Sequence, residues 1–307
     1  MKITNPYGPN TTILLPGGCN AKCSFCFWDR HEGRIKAPND YESRVVANLI
    51  TLPKDFSTLS ISGGEPTVSP RFVSVMDALR KFKPISNFGK VVLTTNGAKL
   101  GERLGDIKGV VDHINISRHT IGTEQNYDVF KTRSVPSDVE LGELIERIHS
   151  ETSCDVTFNC VVPQSVSSWF CFDFIDYAKG LSADAVSFRK EASDVSPTGA
   201  EEFFRARYGV DNEANCPVCR GASQTVDGFD VRWKGTVGEP SLDTGGCYEA
   251  VIHPDGVMYT DWGMKQVLDT SQLISNMPET SEWPPSLTQR DYYPRASFGG
   301  CGSRSGC

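Results

Sequence analysis

Two hydrophobic periods take turns along the first two-thirds of the chain. Short runs of β-type residues fall at Thr11–Leu15 (TTILL), Thr58–Ser62 (TLSIS), Lys90–Thr94 (KVVLT), His113–Ser117 (HINIS), Asp155–Val162 (DVTFNCVV) and Ala185–Arg189 (AVSFR). Between them, apolar residues recur at helical spacing near Tyr41–Leu52, Arg71–Phe82, Val139–His149 and Phe170–Lys179. The second of these is the clearest, with Phe72, Val75, Met76, Leu79 and Phe82 on one face. Six strands, each followed by a helix or a connection long enough for one, predict parallel strands joined by crossovers. The expected fold class is therefore α/β, a partial (β/α)6 TIM-type barrel or an open α/β sheet. From about residue 205 the helical period fades and Gly, Pro, Ser and Asp dominate. A hairpin is predicted across Ala250–Trp262, where Val251-Ile252 and Val257-Met258-Tyr259 flank Pro254-Asp255-Gly256. The predicted division is a core over residues 1–205 and a cysteine-containing extension over 206–307.

Composition narrows the partners. The 307 residues carry 31 Lys and Arg against 38 Asp and Glu, a formal charge of −7. That balance disfavours a surface built to neutralise nucleic-acid phosphates. No apolar run approaches the ~18 residues of a spanning helix, and the first residues lack a secretory core, so a cytoplasmic chain without a membrane partner is expected. Eleven cysteines in such a chain point to metal ligation or catalysis rather than disulfides. Three of them, Cys19, Cys23 and Cys26, form a C-x3-C-x2-C run just after the first strand. Three thiolates on a short loop can hold three irons of a [4Fe–4S] cube and leave the fourth iron open to a substrate or cofactor. Zinc would need a fourth ligand to close its tetrahedron, and His31 is the one close candidate.

The loop resembles that of the radical S-adenosylmethionine (SAM) superfamily, with Phe25 in the aromatic place before the third cysteine. The resemblance extends over about residues 11–190. Gly63-Gly64-Glu65-Pro66 after the second strand looks like the family's GGEP motif, which implies that its backbone and Glu65 receive the SAM amino group. Thr95-Asn96-Gly97 after the third strand is similar to a segment on the ribose side. Ser117, Arg118, Asn159 and Arg189 stand on later strand ends, where the family often contacts ribose or carboxylate. The resemblance implies a [4Fe–4S] cluster and SAM as cofactors, and an electron donor such as flavodoxin or ferredoxin. It implies reductive cleavage of SAM and hydrogen abstraction from a substrate carbon by the 5′-deoxyadenosyl radical. Strand-end loops of such barrels converge on one mouth, so the motifs are expected to meet there.

Other residues read differently. Cys154, Cys160 and Cys171 lie on or beside apolar elements and are expected to pack as small hydrophobes. His119 beside Arg118 is expected to be a surface or structural residue rather than a substrate contact. Cys216-Pro217-Val218-Cys219 with Cys247 resembles, in part, the SPASM and twitch extensions that ligate auxiliary iron–sulfur clusters. The cysteine that usually follows the Asp-Gly turn is absent here, so a second [4Fe–4S] cluster would draw its fourth ligand from Cys301, Cys307, an oxygen or the substrate. Zinc and unliganded thiols remain open for this group. The substrate is expected to be a peptide or a small molecule. Only 18 residues precede Cys19, which lowers the expectation of a leader-binding domain. The cysteine loop also looks like that of viperin-type nucleotide-modifying enzymes, and base modification in nucleic acid ranks below both. A non-catalytic iron–sulfur or zinc-binding protein is the rival from another class.

Overall fold

In the computed structural model the alternating pattern becomes one long sheet of mostly parallel strands under a layer of helices. Residues 2–3, 10–26, 35–53, 56, 58–86, 88–162, 169–191, 207, 222–226, 228–234, 246–247, 249–260, 262–264 and 266–272 are described. All of them lie in the unit Met1–Met277. The strands are β1 (Lys2–Ile3), β2 (Asn10–Leu15), β3 (Thr58–Gly63), β4 (Lys90–Thr95), β5 (His113–Ser117), β6 (Asp155–Val162), β7 (Ala185–Lys190), β8 (Ala222–Val226), β9 (Phe229–Lys234), β10 (Gly246–Cys247), β11 (Glu249–Ile252) and β12 (Met258–Tyr259). The sheet runs β12-β11-β2-β3-β4-β5-β6-β7-β9-β8 and does not close, which is the expected partial barrel. The strands from β11 to β9 are parallel, and an antiparallel hairpin strand, β12 or β8, covers each edge. Closing an edge with a hairpin leaves fewer unpaired backbone groups there.

The helices are α1 (Tyr41–Thr51), α2 (Phe72–Phe82), α3 (Leu104–Ile107), α4 (Thr123–Phe130), α5 (Asp138–Glu151) and α6 (Phe170–Gly180). Apolar alternate residues of the strands face this layer. Ile13, Leu59, Ile61, Leu93, Ile114, Val156, Phe158 and Phe188 are all fully or almost fully buried with Tyr41, Val45, Met76, Ile145 and Phe174 from the helices. Each such side chain contributes about 1.5–3 kcal/mol relative to exposure. Helix α5 starts where Ser137 and Glu140 form a reciprocal capping box. Cys154, Cys160 and Cys171 lie in this core, as packing residues do.

The opposite strand face is polar. In-register partners share a face, and this one carries Leu14 beside Ser62, Thr94 beside Asn115, Asn115 beside Thr157, and Asn159 between Ser117 and Ser187. Parallel strands covered on both sides by helices read as continuous apolar runs, so a hydroxyl- and amide-rich inner face marks a space meant for polar contents. The predicted hairpin is present as β11–β12, its Asp255 side chain accepting from the Val257 amide at 2.9 Å and from Tyr259 Oη at 2.9 Å. It docks on α1, where Asn48 donates to the Gly256 carbonyl at 3.0 Å. Gly256 has φ +75°, and a Cβ there would meet Arg44 Cδ at 2.7 Å. Cys247 lies on β10, paired with Ile3 of β1. Cys216, Cys219, Cys301 and Cys307 lie outside the described residues.

Candidate active site

The loop that leaves β2 carries Cys19, Cys23 and Cys26, and every neighbouring strand end contributes to holding it. From the loop after β3, Ser69 donates to the Pro16 carbonyl at 2.5 Å, and the Glu65 amide points at the Gly18 carbonyl at 3.4 Å. From the loop after β4, Asn96 Nδ2 donates to Asn20 Oδ1 at 2.9 Å. From α4, the Phe130 carbonyl accepts from the Lys22 amide at 2.8 Å. Phe25 sets its edge on the His119 ring at 4.8 Å, and His119 in turn stacks at 5.1 Å on Phe130. The backbone closes a turn from the Cys26 amide to the Cys23 carbonyl at 3.1 Å.

None of the three is in a disulfide; Cys19 is exposed, its Sγ accepting from the Ala21 amide at 3.4 Å, and Cys23 and Cys26 are half-buried. Burial, then the proximity of Cys26 and Cys19, pushes the Cys23 thiol up to about 12. The raised value keeps Cys23 a neutral thiol until a cationic centre binds; as thiolates the three sulfurs would repel one another, and such a centre offsets that repulsion as protons are released. Among the described residues no three His, Cys, Asp or Glu side chains are arranged to hold a single metal ion. A cube asks something else of the loop, since each thiolate meets its own iron. The donor set fits a [4Fe–4S] cluster.

Glu65 is buried and accepts four hydrogen bonds. Its Oε1 accepts from the Thr67 amide (3.0 Å), Thr67 Oγ1 (2.6 Å) and Thr95 Oγ1 (2.5 Å), while Oε2 accepts from the Asn96 amide (2.6 Å). Burial raises its pKa against the pull of these donors. The carboxylate therefore ties the loop after β3 to the loop after β4, and Oε2 keeps one acceptor position for an ammonium. It also caps the short turn Pro66–Val68. Gly63 has φ +140°, and a Cβ there would lie 2.8 Å from the Leu15 carbonyl. The demand for glycine at that position thus comes from the adjacent strand.

The remaining positions separate. Ser117 and Asn159 are partners across β5 and β6 on the inner face, both part-exposed. Arg189, paired with Val161 on β6, shares that face, and its charge acts on the half-buried Glu249. Arg118 turns away. Its side chain is fully buried in the helix layer, with Nη2 on the Pro136 carbonyl at 2.8 Å and on Asp138 at 3.2 Å, where α5 begins. His119, also buried, accepts from the Val161 amide at 3.1 Å through Nδ1, and burial, then the Arg118 charge, lowers its pKa to about 3. It is a neutral wedge under Phe25.

Residues that the sequence did not mark also shape the site. Asn20 and Phe130 brace the cysteine loop. Glu249 at the start of β11 is half-buried, accepting from Thr12 Oγ1 (2.6 Å), Asn10 Nδ2 (3.3 Å) and Trp262 Nε1 (2.9 Å). The one available signal was an acid opening an apolar run, Glu249-Ala250-Val251-Ile252.

Comparison with known proteins agrees with this geometry. Residues 13–162 match the family model described as the Radical SAM superfamily. Molybdenum cofactor biosynthesis protein 1 of Bos taurus is 26% identical over 192 residues, 59% of this chain and 29% of that protein. A GTP 3',8-cyclase of Aquifex aeolicus is 26% identical over 180 residues, 55% of this chain and 52% of the relative. The chain thus spans about half or less of these two relatives. Among solved structures, Streptococcus suis SuiB bound to its precursor peptide SuiA superposes with a TM-score of 0.57 at 17% identity, covering 86% of this chain and 62% of that one. The structure of anSMEcpe with bound AdoMet gives 0.53 at 15% identity, covering 85% and 74%. At such identity these two likenesses speak to the fold.

Proposed function

The domain over residues 13–162 belongs to the radical SAM superfamily, and from that premise we propose that the protein is an enzyme that cleaves SAM reductively and abstracts hydrogen from a polar substrate held against the inner face of the sheet. The observation that carries this is the cysteine trio on one strand-end loop, none of it in a disulfide, beside a face of Ser, Thr and Asn. When bound, the cluster and SAM supply the electron and the 5′-deoxyadenosyl radical, chemistry that no side chain can provide. The chain's own part is positional. Cys19, Cys23 and Cys26 hold the cluster, with Phe25 wedged on His119. Glu65 Oε2 and the Gly63–Gly64 backbone face the amine side of SAM, Pro66 fixes the turn, and Thr95-Asn96 lies toward its ribose. Ser117, Asn159 and Arg189 line the space left for substrate.

In this reading Cys216, Cys219 and Cys247 hold an auxiliary [4Fe–4S] cluster in the C-terminal extension, and a flavodoxin or ferredoxin delivers electrons. The substrate class divides between a peptide, the class named in the SuiB structure, and a nucleotide, the class named in the curated relatives. The sequence likeness to a GTP 3',8-cyclase covers 55% of this chain and gives the nucleotide reading its weight. No helix among the described residues is long and apolar enough to cross a membrane.

The test is anaerobic reconstitution followed by incubation with SAM and a strong reductant. Release of 5′-deoxyadenosine supports the proposal, and none from fully loaded protein refutes it. Iron content separates the cluster assignments: about eight Fe per chain supports two cubes, and about four removes the auxiliary one.

A further inference from the structure

Leu14 and Val251 are fully buried yet stand apart from the main core, as a two-residue apolar cluster of their own. Two half-buried residues pack on that pair: Cys26 of the cysteine loop and Trp262 just after β12. The pad beneath Cys26 is thus shared between β2, which delivers the loop, and the C-terminal hairpin. Trp262 is not loosely placed. Its indole N–H donates to Glu249 Oε2 at 2.9 Å, and Glu249 Oε1 accepts from Thr12 on β2 at 2.6 Å. The hairpin is fixed independently at its turn, through Asn48 of α1 on the Gly256 carbonyl at 3.0 Å.

We propose that the hairpin is part of the cluster's housing: Val251 and Trp262 keep water from the Cys26 side, and Glu249 is the positioning residue that holds Trp262 there. The inference rests on the reading of the cysteine loop given above. Its physical basis is that the apolar shell round a metal centre sets solvent access and potential. A more exposed cube loses iron faster. It is also easier to reduce, because water stabilises the more negative reduced state.

The experiment uses the whole chain, reconstituted anaerobically, with iron release after exposure to air and the midpoint potential from electron paramagnetic resonance as readouts. Trp262→Ala should start with wild-type iron, lose it roughly tenfold faster and shift the potential upward. Trp262→Phe, which keeps an apolar ring but loses the N–H that Glu249 holds, should fall between wild type and Trp262→Ala on the same scale. Glu249→Ala, which removes the acceptor of the same bond, should fall in that interval too. Trp169→Ala, which removes an exposed indole at the start of α6 (69% exposed), should match wild type. Equal lifetimes and potentials for Trp262→Ala and wild type would overturn the proposal, as would an equal loss in Trp169→Ala. If Trp262→Ala fails to fold, the Trp262→Phe and Glu249→Ala pair still decides: wild-type lifetimes and potentials in both overturn it. Wild type that takes up no iron defeats the radical SAM reading instead, and this inference with it.

Discussion

Glu65→Gln separates two roles that one carboxylate combines. The substitution keeps size and shape. An amide oxygen at the Oε1 position can still accept from the Thr67 amide, Thr67 Oγ1 and Thr95 Oγ1, but the NH2 must then replace Oε2, 2.6 Å from the Asn96 amide. A donor then faces a donor. Losing a hydrogen bond to a charged acceptor costs about 1.5–3 kcal/mol, and a buried amide left without a partner belongs to the upper part of that range. Part is recovered, because burial raises the Glu65 pKa and the variant no longer holds a charge in that site. The net expectation is a loss of about 2 kcal/mol in the cluster-free protein, measured by urea unfolding under reducing conditions with the slope unchanged. The sign with pH is fixed too. A carboxyl whose folded pKa is raised gives its stabilisation below the unfolded pKa and loses it as pH rises through the folded value, so the gap between wild type and Glu65→Gln widens as pH falls toward 4.5. SAM affinity of the reconstituted protein, by equilibrium dialysis, should fall as well. A variant as stable as wild type that nonetheless loses SAM would refute the latch and leave Glu65 a ligand contact alone.

His119 gives a second pH test. Its folded pKa is depressed from 6.5 to about 3, so its stabilisation is present above 6.5 and is lost as pH falls. Between pH 6.5 and 5 that amounts to about 2 kcal/mol, and His119→Asn, which offers the Val161 amide another acceptor, should lack this share of the acid sensitivity in paired denaturation curves. The cysteines give a third test. Cys23→Ala should abolish iron loading, whereas Cys154→Ala, whose thiol only packs in the core and points at the Val111 carbonyl at 3.2 Å, should cost on the order of 1 kcal/mol and leave iron unchanged.

The six parallel strands were legible because each is a short run rich in β-branched and apolar residues, four of them ended by Pro16, Gly63, Asn96 or Pro163, and because the outer face must be apolar to carry helices. Helix α4 was not legible. Thr123–Phe130 buries only Asn126 and Phe130, so it presents no stripe, and it is fixed by tertiary contacts such as Asn126 on the Thr120 and Gly122 carbonyls at 2.7 and 2.8 Å. Strand β9 did carry a signal, with Phe229, Val231 and Trp233 buried and alternating. Its surroundings of Gly and Asp hid it in a region read as irregular.

At the site, what could be read from the sequence was the part that covalent chemistry dictates. A cube requires thiolates at close spacing, so Cys19, Cys23 and Cys26 announce themselves without any fold. Latches obey no such rule, because any donor and acceptor will serve once two loops meet. Glu249 and Trp262 stand 13 residues apart, and their partner Thr12 lies 237 residues from Glu249; no local pattern links them. Glu65 shows how the two kinds of requirement overlap. Its motif was visible, but the geometry assigns Gly63 to the approach of Leu15 and three of the four accepted hydrogen bonds to a single carboxylate oxygen. A conspicuous motif in a barrel mouth therefore marks where loops must be fastened as well as where a cofactor must be held, and only a measurement on the cluster-free protein distinguishes the two.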